Sequence, residues 1–169
     1  MSIKKPLISI VIPSNNRTEL LDEAILSIIT DSSWNLDCEL CISDNSKGDG
    51  TKNLIRTKYS DNYQIVYRRS LDSPSLDENI NMAISMARGE YVWIFGDDDL
   101  IEENFLAELI TYLKSTTLDI VILNSSSFQE QGLVEVSRLS LDSLTVYGPN
   151  DNDSFLTDQG GYLTYVGCI

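Results

Sequence analysis

The strongest constraint on this chain is a series of short apolar runs, each closed by a polar turn and followed by an amphipathic stretch. Leu7-Ile8-Ser9-Ile10-Val11-Ile12 stops at Pro13, Glu39 to Ser43 stops at Asp44, and Tyr91-Val92-Trp93-Ile94-Phe95 stops at Gly96-Asp97-Asp98-Asp99. Nearly continuous apolarity, rather than strict alternation, marks strands covered on both faces, the condition of a parallel sheet. Two further runs, Gln64 to Arg68 and Ile120 to Leu123, read as strands three and five.

The intervening stretches have helical spacing. Leu20, Leu21, Ala24, Ile25, Ile28 and Ile29 form one stripe, and Leu76, Ile80, Ala83, Ile84 and Ala87 form another that stops at Gly89. Phe105, Leu106, Leu109, Ile110 and Leu113 form a third, and a short helix is predicted over Thr51 to Lys58. Asn16 with Glu19, and Ser75 with Glu78, have the spacing of capping boxes. Five strands alternating with four helices predict an α/β fold with a mostly parallel, Rossmann-like sheet flanked by helices. The pattern defines a core over residues 1–124. Residues 125–169 are richer in Ser, Asn, Asp and Gln; irregular structure or a hairpin is expected there, with a last strand from Tyr162 to Ile169.

Charge and composition exclude several functions. With 26 acidic against 12 basic residues the net charge is −14. Such a domain is repelled by nucleic-acid phosphates and anionic lipid, and Lys4-Lys5 and Arg68-Arg69 are its only basic doublets. An anionic small substrate needs a cation between itself and the protein. The chain contains no histidine, so a general base would be a carboxylate, or else Lys, Tyr or Cys. Any divalent metal would be held by oxygen, which favours Mg2+ or Mn2+ over zinc. Cys38 and Cys41 form a C-x-x-C inside a predicted strand, where residues three apart point to opposite faces; buried, reduced thiols are expected. No apolar stretch approaches the roughly 18–20 residues of a membrane span, and the N-terminal apolar segment is too short for a signal peptide. A cytoplasmic location is expected, peripheral at the inner face of the membrane in a longer protein.

In open α/β sheets ligands bind outside the carboxyl ends of the strands, where strand order reverses. The polar residues at those ends are Ser14, Asn15, Asn16 and Arg17, then Asp44 and Asn45, then Asp97 to Asp99. Two carboxylates about 6 Å apart repel by about 3 kcal/mol at an effective dielectric of 20. An acidic triplet at the mouth of a buried strand therefore wants hydrogen bonds or a cation, and a cation also serves a diphosphate. Taken alone, Asp44 is equally ordinary turn chemistry, Arg17 equally a solvated first-turn residue, and Gly48-x-Gly50 an incomplete phosphate-loop pattern.

Together these segments resemble family-2, GT-A type inverting glycosyltransferases. The resemblance rests on Ser9-Ile10-Val11-Ile12-Pro13-Ser14-Asn15-Asn16-Arg17, on Ile42 to Ser46 with Asp49-Gly50-Thr51, and on Asn81 to Ala87 leading through Gly89-Glu90-Tyr91 to the acidic turn. The Gly-Asp-Asp-Asp form looks most like abequosyltransferase-like enzymes of bacterial surface-polysaccharide assembly. The resemblance implies a nucleotide-diphosphate sugar as donor, a glycan or lipid-linked acceptor, and Mn2+ or Mg2+ as cofactor. It places Pro13, Ser14, Arg17, Asp44 and Asp97 at the nucleotide, and Asp98 and Asp99 at the metal. Gly96 stands where the usual motif has its first Asp, and Asn15 where an aromatic residue is common. The family's catalytic carboxylate is expected beyond Ile169, so residues 125–169 read as the interrupted start of an acceptor-side region, and donor binding without efficient transfer is expected of this chain. An interrupted last strand would leave an edge able to pair with a second copy, giving a homodimer. The alternative is a non-catalytic nucleotide-sugar or metal-binding module. A receiver-type signalling domain wants acidic residues after strand one and a Lys after the last strand; Pro13-Ser14 and Asn124 stand there instead.

Overall fold

Strand β1, Ile8–Ser14, is almost wholly buried and pairs on both sides, in parallel with β2, Cys38–Asp44, and with β4, Tyr91–Ile94. β2 pairs in turn with β3, Ile65–Arg69, which gives the order β3-β2-β1-β4. In this computed structural model residues 5–70, 75–129, 132–134, 145–148 and 150–151 are described. Two compact units divide the chain, one up to Asp119 and one over Ile120–Cys168. In the first, the predicted mostly parallel α/β architecture is present as a four-stranded parallel sheet flanked by helices.

The helices are α1 (Thr18–Ile29), α2 (Trp34–Asp37), α3 (Gly50–Lys58), α4 (Leu76–Ser85) and α5 (Phe105–Ser115). α4 covers one face, packing Ala83 on Val11 and Cys41, with Val66, Met86, Ala87 and Val92 around them. The alternate residues Ile10, Ile12, Leu40 and Ile42 point the other way and are buried too. On that face Trp93, in register with Ile10, meets Phe105 of α5 at 6.2 Å between ring centroids. The amide of Ile101 donates to Ser27 Oγ of α1 at 3.2 Å, which ties α1 to the approach to α5. Cover on both faces is what the continuous apolar runs required. Cys38 and Cys41 are buried and unpaired on opposite sides of β2, and burial pushes each thiol up to about 12.

Several expectations are corrected. The apolar segment Ile120 to Leu123 is no fifth strand: it contributes one bridge residue, Ile122, and Ile120 is exposed. Apolarity reports a tendency to be covered, not a ladder partner. Asn16 does not cap α1. It sits at φ 56°, the N-cap residue is Arg17, and no side chain caps that helix. Gly89 does not end α4, whose last residue is Ser85. A Cβ on Gly89 would fall 2.6 Å from the backbone nitrogen of Ser9, so glycine is needed for close approach to β1. On α4 the side chains of Leu76 and Ile84 are exposed, and the polar Asn79 is buried instead. The second capping box is formed as read: the Glu78 amide donates to Ser75 Oγ, and the Ser75 amide donates to Glu78 Oε2 at 2.8 Å.

In the second unit, β5 (Ser127–Gln129) and β6 (Gly132–Val134) form an antiparallel hairpin, in register from Ser127↔Val134 to Gln129↔Gly132. The predicted strand from Tyr162 to Ile169 lies outside the described residues.

Candidate functional site

Because β1 lies between β2 and β4 in one parallel sheet, the polar turns that end these three strands share one mouth. Order reverses at β1, whose neighbours follow it in sequence on one side and much later on the other; such a switch point is where open sheets hold ligands. Arg17 follows β1 and the acidic turn follows β4. Arg17 Nη1 donates to Asp97 Oδ1 at 3.1 Å and to Asp98 Oδ2 at 2.9 Å. Side-chain exposures of 51% for Arg17, 8% for Asp97 and 52% for Asp98 describe a buried carboxylate reached from solvent by a cation. Asp97 above all, then Asp98, raises the pKa of the Arg17 guanidinium further.

Asp99 behaves differently. Its Oδ2 accepts from the Gly96 amide at 3.1 Å, folding the carboxylate back over the turn. A Cβ on Gly96 would lie 2.6 Å from that oxygen, so a larger residue there would displace the Asp99 carboxylate from this hydrogen bond. Two of the three acidic side chains therefore meet the cation and the third shapes the turn.

Asp44, at the end of β2, is fully buried. Its Oδ1 accepts from the Ser46 amide at 2.8 Å and its Oδ2 from Tyr67 Oη at 2.6 Å. Burial first, then this hydrogen bond, pushes the Tyr67 phenol well above its ordinary value. The loop after Asp44 is held from two sides. From the turn after β1, Asn16 donates its amide to Ser46 Oγ at 2.7 Å and accepts from the Lys47 amide at 3.1 Å. From β3, Arg69 Nη2 donates to the carbonyls of Ser46, Lys47 and Gly48, at 3.1, 3.2 and 2.8 Å, while Nη1 pairs with Asp49. The hydrogen bond to Arg69, and then its charge, holds the Asp49 carboxyl below the usual range. Of the G-x-G pair, Gly50 is the constrained one: a Cβ there would fall 2.6 Å from Thr18 Oγ1 of α1.

Asn79 of α4 joins two strand ends, accepting from Ser43 Oγ at 2.6 Å and donating to the Ser14 carbonyl at 3.3 Å. That carbonyl also accepts from the Asn45 amide at 3.1 Å. Ser14 Oγ is covered and has no partner among the described residues, and Pro13 precedes it within β1. Asn79 and Tyr67 were not singled out from the sequence; Asn16 was read among the strand-end polar residues, Ser46 only within the motif after β2, and Arg69 only as half of a basic doublet. The end of β3 offered one signal, since Tyr67 and Arg69 alternate with Val66 and Arg68 and so share a face.

The donors present are carboxylate oxygens, which suit Mg2+ or Mn2+. Among the described residues no three potential ligands gather into a metal cluster. Asp97 and Asp98 offer at most a shared site that a diphosphate and water would complete, an ordinary arrangement for Mg2+. On those terms the residues fit such an ion.

A parallel α/β domain with polar turns gathered at its switch point belongs to the class that holds its ligand at strand ends. Residues 9–159 match the model of Glycosyl transferase family 2, and the chain belongs to that family. It is 46% identical to abequosyltransferase RfbV of Salmonella typhimurium over 96% of this chain and 52% of that protein. It is 30% identical to the poly(ribitol-phosphate) beta-N-acetylglucosaminyltransferase TarP of Staphylococcus aureus, over 68% of this chain and 35% of that one. Among solved structures, S. aureus TarS 1-349 in complex with UDP-GlcNAc superposes with a TM-score of 0.64 at 19% identity, over 79% of this chain and 38% of that one. The chain thus spans about half the length of the first of these relatives and about a third of the second.

Proposed function

We propose that this chain is the donor-binding part of a glycosyltransferase. In this reading it holds a nucleoside-diphosphate sugar, with Mn2+ or Mg2+, for inverting transfer of a hexosyl or deoxyhexosyl group to an acceptor hydroxyl in bacterial surface-polysaccharide assembly. The observation that carries the reading is the convergence of Arg17, Asp97 and Asp98 at the switch point, one strand away from Asp44. Its likeness to an abequosyltransferase and to a poly(ribitol-phosphate) beta-N-acetylglucosaminyltransferase supports it.

Each residue then has a role. Asp44 accepts from the base through lone pairs that Tyr67 and Ser46 leave open, each carboxylate oxygen having two. Pro13 and Ser14 border the nucleotide, and Asp97 faces the ribose or diphosphate. Asp98 holds the metal, with Asp99 as the second carboxylate at that ion. A bound divalent ion supplies charge stabilisation for the departing diphosphate. A carboxylate deprotonates the acceptor; none of the residues named here is assigned that role. Residues 1–124 form the donor side and 125–169 begin the acceptor side, where a glycan or lipid-linked acceptor docks. No helix among the described residues is long and apolar enough to cross a membrane.

Calorimetric titration with UDP, CDP, GDP and dTDP, each with and without Mn2+, tests the reading. At least one should bind in a metal-dependent way, and Asp98→Ala should abolish that binding. Metal-independent binding, or Asp98→Ala at wild-type affinity, overturns the metal role; no binding to any nucleotide overturns the donor site.

A further inference from the structure

Arg17 occupies the position at the acidic turn that a metal would be expected to fill. One nitrogen, Nη1, lies within 3.1 Å of Asp97 and 2.9 Å of Asp98, so a single positive centre bridges both carboxylates. The guanidinium is permanently charged, and its side chain, 51% exposed, has room to leave. We propose that Arg17 is the resident cation of the donor site, holding Asp97 and Asp98 when no metal is present and yielding them only when a diphosphate gives it a new anionic partner. This rests on the donor-site reading above.

The physical argument concerns what each ligand must displace. A divalent ion arriving alone meets two carboxylates already paired, and leaves a guanidinium without a partner beside a second positive charge. Both effects oppose binding, and at these separations they are strong enough to reduce affinity by about tenfold or more. A diphosphate arriving with the ion reverses the balance, because guanidinium binds phosphate oxygens bidentately and well. Arg17 therefore makes metal and nucleotide bind together and disfavours metal alone. In an acidic chain of net charge −14, which attracts divalent ions generally, this keeps the turn free for the complete donor.

The test is Mn2+ titration followed by the electron paramagnetic resonance of free Mn2+, on wild type, Arg17→Gln and Arg17→Lys, with thermal unfolding to verify folding. Arg17→Gln should bind Mn2+ alone about tenfold or more tightly than wild type, and added UDP, CDP, GDP or dTDP should tighten its Mn2+ binding less. Arg17→Lys should restore weak binding of Mn2+ alone, since it keeps the charge. No gain in Arg17→Gln, whether both proteins bind or neither does, overturns the proposal, as does equal gain in Arg17→Lys. The comparison with Mn2+ alone involves no nucleotide, so failure of the donor-site reading shows separately, as absence of nucleotide binding by wild type.

Discussion

The two ends of the sheet use the same chemistry to opposite effect. At the amino end Glu39 of β2 is buried, and donors surround its carboxylate: Ser9 Oγ at 2.6 Å, the Arg88 amide at 2.6 Å, and Arg88 Nε and Nη2 at 2.9 and 2.6 Å. Ser9 Oγ also accepts from the Gly89 amide at 2.7 Å, joining β1, β2 and the approach to β4. At the carboxyl end Asp97 and Asp98 are held by one half-exposed guanidinium. A carboxylate with every acceptor site occupied stabilises a fold but has nothing left to offer a ligand. One held by a single half-exposed partner contributes little stability and remains available.

Substitutions should separate the two ends by stability. Glu39→Ala should cost most, about 3 kcal/mol, measured by urea unfolding. Arg88 can turn to water and its amide keeps Ser9 Oγ at 3.2 Å, so the cost falls on the buried Ser9 hydroxyl, left without its acceptor. A loss below about 1 kcal/mol would mean that water replaces the carboxylate there. Gly89→Ala comes next at about 2 kcal/mol, because its Cβ meets backbone rather than a movable side chain. Tyr67→Phe, at the mouth, should cost about 1 kcal/mol and weaken nucleotide binding, since Asp44 loses a donor. Its pH dependence has a definite sign. The raised Tyr67 phenol stays neutral in the folded chain, so its contribution is complete below the ordinary value of about 10 and is lost as pH rises beyond it. Stability above pH about 10 should therefore fall less steeply in Tyr67→Phe than in wild type. Asp98→Asn should shift stability by no more than about 0.5 kcal/mol while removing metal-dependent nucleotide binding. A large destabilisation there would erase the contrast between the ends.

What was legible in the sequence follows the same division. Strands covered on both faces announce themselves as apolar runs, so β1, β2 and β4 were readable, and with them the three polar turns of the mouth. Side-chain service across the chain was not. Asn79 sits on α4 beside Ala83 and reads as a polar interruption of a stripe until its amide is seen holding Ser14 and Ser43. Asn16 has the spacing of a cap, yet its left-handed backbone turns it toward Ser46 and Lys47. Gly89 looks like a helix stop because local patterns cannot show the Ser9 backbone pressed against it. The acidic triplet was legible as a group, but the division of labour within it depends on Gly96 and Arg17.

The Arg17–Asp97 contact joins residues 80 positions apart. Everything from α1 through α4 lies in the intervening chain, so the mouth is a product of high contact order: closing that loop must precede any reward from the contact. A chain that has paired only β1 with β2 owns the loop after Asp44 and no acidic turn. On the proposed donor-site reading, nucleotide added during refolding should be silent until β4 docks and thereafter stabilise the docked state by mass action. Donor affinity becomes a clock for the sheet's longest-range pairing.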